Sequence, residues 1–312
     1  MKTRNFVCFL ALSFLVPLFG RIPAEAAETS GPVLDTLEYV SVAGDSYVFR
    51  ADTDRNAAPE PYTTDPSVAS VVFAGSAGTG KYLYRVTARA PGSADVGVRT
   101  PDSLRTFPFR AVSGASVPSF PPLLQKPELP TGCEVTALAN VMNFYGYPVS
   151  KTYLADSMLP KDDFVSSGNG GIFRADPYRA FVGNPRGNGF GCYAPVIVQT
   201  ARKYLSSAGS RLTVTDLSGS EPSALYRSVI AGTPVLVWAT IGLTAPTFRS
   251  GWTVRDTGKK IQWIGGEHCM VLIGCSASTV TLSDPLRGIV TYSRPLFETR
   301  YRQVMKQAVV IR

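Results

Sequence analysis

The sequence predicts two differently built parts in one chain: a small antiparallel β-sandwich over residues 31–112, then an α+β domain over residues 123–312. Three observations predict this. Between Val33 and Val112, apolar and polar side chains alternate with a period of two, and no helix-spaced stretch intervenes. Residues 113–122, Ser-Gly-Ala-Ser-Val-Pro-Ser-Phe-Pro-Pro, are small residues and prolines that hold an extended linker. Beyond them, apolar residues fall first at helical spacing and later in short strand-like runs.

The chain opens Met1-Lys2-Thr3-Arg4, runs apolar from Phe6 to Phe19, and reaches small residues at Ala24-Glu25-Ala26. A basic start, an apolar core and an A-x-A site are the parts of a secretory signal peptide. The apolar run is shorter than the roughly 20 residues that a membrane-spanning helix needs. Residues 1–26 are therefore expected to be cleaved near Ala26, leaving a mature chain with no transmembrane segment. It is expected to be secreted, extracellular or held at the cell envelope.

Cleavage would remove Lys2, Arg4, Arg21 and Glu25 from a chain of net charge +8. The remaining positive excess suits an anionic cell wall or acidic substrates. It is spread without a run of five basic residues, so nucleic acid is not an expected partner. With 45% apolar and 11% aromatic residues, both parts have the material for a core.

In the first part, Tyr82, Tyr84, Val86 and Ala88 share one strand face, as do Ala94, Val96 and Val98 on the next. Turns are expected at Gly44-Asp45, Asp65-Pro66 and Pro91-Gly92. Gly75 to Lys81 spells most of a phosphate-binding loop. Tyr82 stands where a magnesium-binding Ser or Thr is required, and a strand follows where a helix is required. A glycine-rich hairpin turn is the reading that fits.

In the second part, Val135, Leu138, Met142 and Tyr145 define a helix from Cys133 to Tyr145, stopped by Gly146 and Pro148. Pro195 to Ser207 and Pro222 to Ala231 read as two more, each with proline in its first turn. Pro234 to Thr240, Cys269 to Cys275 and Val280 to Ser283 are strand candidates.

His268 is the one histidine of the chain, hence the one imidazole base for chemistry near neutral pH. If its strand folds back near residues 276–277, Asp284 stands opposite it, where a carboxylate can orient the ring. Cys133, at a helix start after Gly132, has unpaired N–H groups and a positive dipole beside it, which is expected to lower the thiol pKa. Gln125, eight residues earlier, offers an amide N–H to an oxyanion.

Four cysteines remain after signal removal. Cys269 and Cys275 are too far apart on one strand to join, whereas Cys192 could reach either. Cys192 is the rival nucleophile, but Pro195 withholds an N–H at the next helix start. No C-x-x-C spacing is present, and no metal or other cofactor is expected. Glu134 is given no catalytic role, because its charge opposes a thiolate.

Gln125, then Cys133 at a helix start, then a distant His268 on a strand and an acid is the order of papain-like enzymes. Gln125-Lys-Pro-Glu-Leu-Pro-Thr-Gly-Cys133-Glu134, with Asn143-Phe-Tyr-Gly146, resembles the nucleophile segment of the double-glycine-peptidase-like family, related to bacteriocin-leader peptidases. Gly183-Asn-Pro185, Glu267-His268 and Ser283-Asp284-Pro285 resemble it in the same order. The phrases Asp65 to Val71 and Ala90 to Val96 resemble bacterial immunoglobulin-like modules.

The resemblance implies a papain-like cysteine peptidase domain behind an immunoglobulin-like β-sandwich. Cys133 would be the nucleophile, His268 the base, Asp284 its orienter and Gln125 the oxyanion donor. A peptide or protein is the implied substrate, and the cell wall a further partner. Two alternatives stand beside it: an amidase or transamidase acting on peptidoglycan, and a non-catalytic wall-binding or adhesion protein on an inactive peptidase fold.

Overall fold

The computed structural model describes residues 31–162, 165–166, 171–248 and 251–312, so the expected signal peptide lies outside the described residues. The alternating first part forms β1 (Val33–Leu34), β2 (Tyr39–Val42), β3 (Ser46–Asp52), β4 (Glu60–Thr63), β5 (Ala69–Gly78), β6 (Lys81–Ala88), β7 (Gly92–Thr100) and β8 (Ser103–Val112). They make two four-stranded sheets, ordered β1-β3-β6-β5 and β2-β8-β7-β4. Alternation sends Tyr82, Tyr84, Val86 and Ala88 into one core with Phe49, Phe107 and Phe109.

One pairing departs from the all-antiparallel expectation: β2 runs parallel to β8, with Tyr39 beside Phe109. These strands are distant in sequence and no hairpin joins them, so no tight turn imposes the antiparallel sense. The glycine-rich run is the β5–β6 hairpin, where Gly78 pairs with Lys81 and Gly80 takes a φ of 68°.

The second part has four longer helices: α1 (Cys133–Phe144), α2 (Ala194–Ser207), α3 (Pro222–Ile230) and α4 (Arg294–Gln303). The first three begin and end within a residue of the expected positions. The fourth is unforeseen, because it buries only Arg294, Phe297 and Tyr301 and shows no apolar stripe in the sequence.

Seven strands form the sheet behind these helices: β9 (Gly114–Ser116), β10 (Val214–Asp216), β11 (Val235–Thr240), β12 (Glu267–Ser276), β13 (Thr279–Asp284), β14 (Gly288–Ser293) and β15 (Ala308–Ile311). Their order is β10-β15-β11-β12-β13-β14, with β9 also pairing to β12. β11 is buried throughout and β12 everywhere but at its last residue, which explains their nearly continuous apolar runs.

The stretch expected as a linker is extended but fastened. Ala115 pairs with Cys275 and Ser116 with Gly274 on the end of β12. Glycine is required at 114, since a Cβ there would lie 2.7 Å from the Cys275 carbonyl oxygen. The two parts also touch through side chains. Arg294 pairs with Asp45, in the turn between β2 and β3, and its guanidinium lies 4.5 Å from the centre of the Tyr226 ring.

Candidate active site

Residues 125–133 are shaped by backbone bonds. The Gln125 N–H donates to the Pro285 carbonyl at 2.8 Å, and the Leu129 N–H donates to the Gln125 carbonyl at 3.0 Å. The Thr136 N–H then reaches the Gly132 carbonyl at 3.1 Å, which starts α1 at Cys133. Gly132 is needed because a Cβ would meet Leu129 Cβ at 2.9 Å and Pro185 Cβ at 3.2 Å. From the middle of α1, Asn140 Nδ2 donates to Ser283 Oγ at 2.9 Å, tying the cysteine's helix to the strand that ends at Asp284.

His268 and Asp284 meet, but not by the expected register. The turn sets Cys275 opposite Val280, and a bulge between Leu272 and Gly274 then shifts the register by one, so that Val271 faces Ser283 and β13 lies two residues off the simple hairpin. Asp284 is therefore a diagonal neighbour of His268, within reach of a long side chain on the same face. His268 Nε2 lies 2.6 Å from Asp284 Oδ1, and both residues are buried. Asp284 Oδ1 also accepts the Leu286 N–H at 2.8 Å. Burial pushes the Asp284 carboxyl up. The hydrogen bond and charge of His268, the Leu286 N–H and the Arg287 charge outweigh this and hold it below the usual aspartate value.

Gln125, Cys133 and His268 line one cleft of about 450 Å³, with Phe190, Trp263 and Glu267 among its walls. Asp284 lies behind His268, closed from solvent. Gln125 Nε2 donates to the Pro130 carbonyl at 2.8 Å, which uses one of its two N–H bonds and leaves the second. Among the described residues, His268 Nδ1 has no hydrogen-bond partner, so that nitrogen is available to the cleft.

The Cys133 thiol does not have the expected low pKa. Burial pushes it well up, and the carboxyls of Glu134 and Glu267 push the same way. Its Sγ donates to Glu134 Oε2 at 3.3 Å and accepts the Cys269 N–H at 3.5 Å. The helix start supplies a favourable dipole, but its second residue is an acid that counters it at the sulfur.

Glu134 and Glu267 are the residues that sequence reasoning undervalued. Each adjoins a candidate site residue in the chain, in Cys133-Glu134 and Glu267-His268, and that adjacency was the only signal. Burial, the largest influence, lifts the Glu134 carboxyl to about 7 against hydrogen bonds that include the Cys192 N–H, which reaches Oε1 at 2.7 Å. Burial and the neighbouring Glu134 raise Glu267 well above its ordinary value. Cys133 Sγ and one oxygen of each carboxyl lie within 4.8 Å of one another, the one candidate metal-ligand group among the described residues. Its sulfur is that of Cys133, so an ion held there would occupy the thiol.

Cys133, Cys192, Cys269 and Cys275 are all free and buried. Cys192, the rival nucleophile, is closed from solvent, and burial pushes its thiol well up. Its backbone serves Glu134 through N–H, and its carbonyl accepts from Trp238 Nε1 at 2.9 Å.

A cysteine at a helix start, sharing a cleft with a histidine whose far nitrogen is held by an aspartate, is the constellation of thiol-dependent acyl-transfer enzymes. The chain belongs to the Peptidase_C39 like family, whose model matches residues 117–309. It is 35% identical over 191 residues to the uncharacterized protein YvpB of Bacillus subtilis (strain 168), covering 60% of this chain and 72% of that one. A solved structure of a putative C39-like peptidase from Bacillus anthracis superposes with a TM-score of 0.57 at 31% identity, covering 64% of this chain and 98% of that one.

Proposed function

We propose that this protein is a secreted cysteine peptidase that hydrolyses peptide bonds with Cys133, His268 and Asp284, assisted by Gln125. The observation that carries this is the shared cleft of Gln125, Cys133 and His268, with the 2.6 Å bond from His268 Nε2 to Asp284 behind it. The thiol proton passes to His268 Nδ1, and the sulfur attacks the peptide carbonyl carbon as the C=O electron pair moves onto oxygen. The free Gln125 N–H and the Cys133 backbone N–H stabilise that oxyanion. His268 then gives its proton to the leaving nitrogen as the C–N bond breaks. Water, deprotonated by His268, attacks the thioester and releases the acid and the thiol.

The basic and apolar N-terminus with Ala24-Glu25-Ala26 supports export. The two packed four-stranded sheets of residues 33–112 support an immunoglobulin-like module that would present the peptidase at the envelope. A second reading, a binding protein on an inert peptidase fold, is favoured by one observation: the thiol bonds to Glu134.

The two readings separate in one experiment on the mature chain, its Cys133→Ala variant and its His268→Ala variant. Iodoacetamide labelling at each cysteine is mapped by mass spectrometry, and cleavage of an unfolded protein substrate is followed in parallel. The peptidase reading expects cleavage that both substitutions abolish and Cys133 labelling that His268→Ala slows. Labelling of Cys133 indifferent to residue 268, together with no cleavage, establishes the binding reading instead.

A further inference from the structure

Behind Cys133 lies a carboxyl pair that the hydrolytic steps above do not use. Glu134 is fixed at both oxygens: Oε1 accepts the Cys192 N–H at 2.7 Å, which leaves Oε2 at the Cys133 sulfur at 3.3 Å. Glu267 reaches the same place from β12 and lines the cleft, and its Oε1 is buried with no protein partner among the described residues. Gly191 makes room for both. A Cβ there, on a backbone with φ of +136°, would lie 2.6 Å from Glu134 Oε1 and 2.9 Å from Glu267 Oε2.

No lysine or arginine forms an ion pair with either carboxyl among the described residues. The titratable groups around the pair are Cys133 from α1, His268 and Cys269 from β12, and Cys192 and Tyr193 from the segment entering α2. Of these, only His268 can carry positive charge, and its Nε2 is committed to Asp284. Two buried carboxyls so close and without a cation cannot both ionise cheaply, so they hold a proton between them.

We propose that Glu134, backed by Glu267, is a positioning residue that decides when Cys133 becomes a nucleophile, by competing with His268 for the thiol proton. It rests on the reading that Cys133 is the nucleophile. With Glu134 ionised, its carboxylate accepts the S–H bond, keeps the proton on sulfur and opposes a second negative charge there. With Glu134 protonated, that acceptor is gone. The proton then moves from Sγ to His268 Nδ1 and leaves a thiolate beside an imidazolium.

The sign follows from the order of ionisation. Below the pH at which Glu134 ionises, about 7, the pair is neutral and the thiol is released to His268; above it, the thiol is held. The proposed enzyme is thus favoured by mild acid, opposite to a lone thiol, whose reactivity only rises with pH.

The test is the pH profile of Cys133 alkylation by iodoacetamide in the whole mature chain, for wild type, Glu134→Gln, Glu267→Gln and His268→Ala. Glu134→Gln keeps an oxygen for the Cys192 N–H and removes the charge. It is expected to raise the rate at neutral pH about tenfold or more, one pKa unit being a factor of ten. Glu267→Gln is expected to change it less. If Glu134→Gln leaves rate and profile unchanged while His268→Ala still slows labelling, the Cys–His pair stands and this inference falls.

If His268→Ala has no effect, the Cys–His reading falls and takes the competition with it. Should the glutamine variants not fold, wild type alone decides. Its rate is expected to fall as pH rises through neutrality, as Glu134 ionises, and a rate that only rises with pH overturns the proposal.

Discussion

His268 Nε2 sits 2.6 Å from Asp284 Oδ1 although the two residues do not face each other on the ladder. The turn after Ser276 and the one-residue bulge between Leu272 and Gly274 together leave β13 two residues off that pairing, and the side chains bridge the diagonal. Asp284 is thereby held at a strand end where its Oδ1 also takes the Leu286 N–H, which fixes the carboxylate before any substrate binds.

Asp284→Asn is expected to lower kcat by on the order of 10²-fold or more while leaving the fold intact, because an amide does not hold the imidazolium or its tautomer. The carboxyl's folded pKa lies below the ordinary aspartate value of 3.8. Its contribution to stability is therefore complete above that value and lost as pH falls through the lowered one. Acid unfolding curves of wild type and Asp284→Asn should converge at low pH and separate above it.

Gln125 has one N–H committed to Pro130 and one free. Gln125→Ala is expected to reduce kcat by about 10²–10³-fold, the usual loss for one oxyanion donor, with KM nearly unchanged. A fall confined to KM would instead assign Gln125 to substrate binding.

Glu134 also has a consequence for stability. In the unfolded chain it ionises near 4.5, in the folded protein near 7. Below the lower value both states hold the proton and no penalty exists. Between the two, the unfolded state loses its proton first, so stability falls as pH rises, and above about 7 the penalty is complete. Glu134→Gln should remove this slope. Urea midpoints should show the variant gaining roughly 1–3 kcal/mol on wild type at mildly alkaline pH and little near pH 4.

Arg294 is one of the cations that link the two parts. It pairs with buried Asp45 from the sandwich and, at 2.8 Å, with Glu298 on its own helix. Arg294→Met should destabilise the chain by about 3–5 kcal/mol in urea unfolding, because it leaves Asp45 buried without its partner. Adding Asp45→Asn should recover part of that loss.

Much of this protein was legible without coordinates wherever the pattern is local. Period-two alternation placed the sandwich strands, helical spacing with Gly146 placed α1, and the lone His268 with the Gln125-to-Cys133 spacing marked the cleft. Such features depend on neighbours a few residues apart, so the chain itself displays them. Helix α4 escaped because three buried side chains on a charged helix leave no stripe.

The parallel pairing of β2 with β8, the register that offsets Asp284, and the anchoring of residues 114–116 on β12 were decided only by the tertiary structure. So was the state of the Cys133 thiol. The sequence by itself determined that Cys133 begins a helix, which argues for an acidic thiol. Only folding brings Glu267 from β12 to join Glu134 beneath that sulfur and closes both carboxyls from water. A helix start and its Glu134 are local, whereas Glu267 comes from a segment more than a hundred residues away, and at this sulfur burial and the two carboxyls together outweigh the dipole.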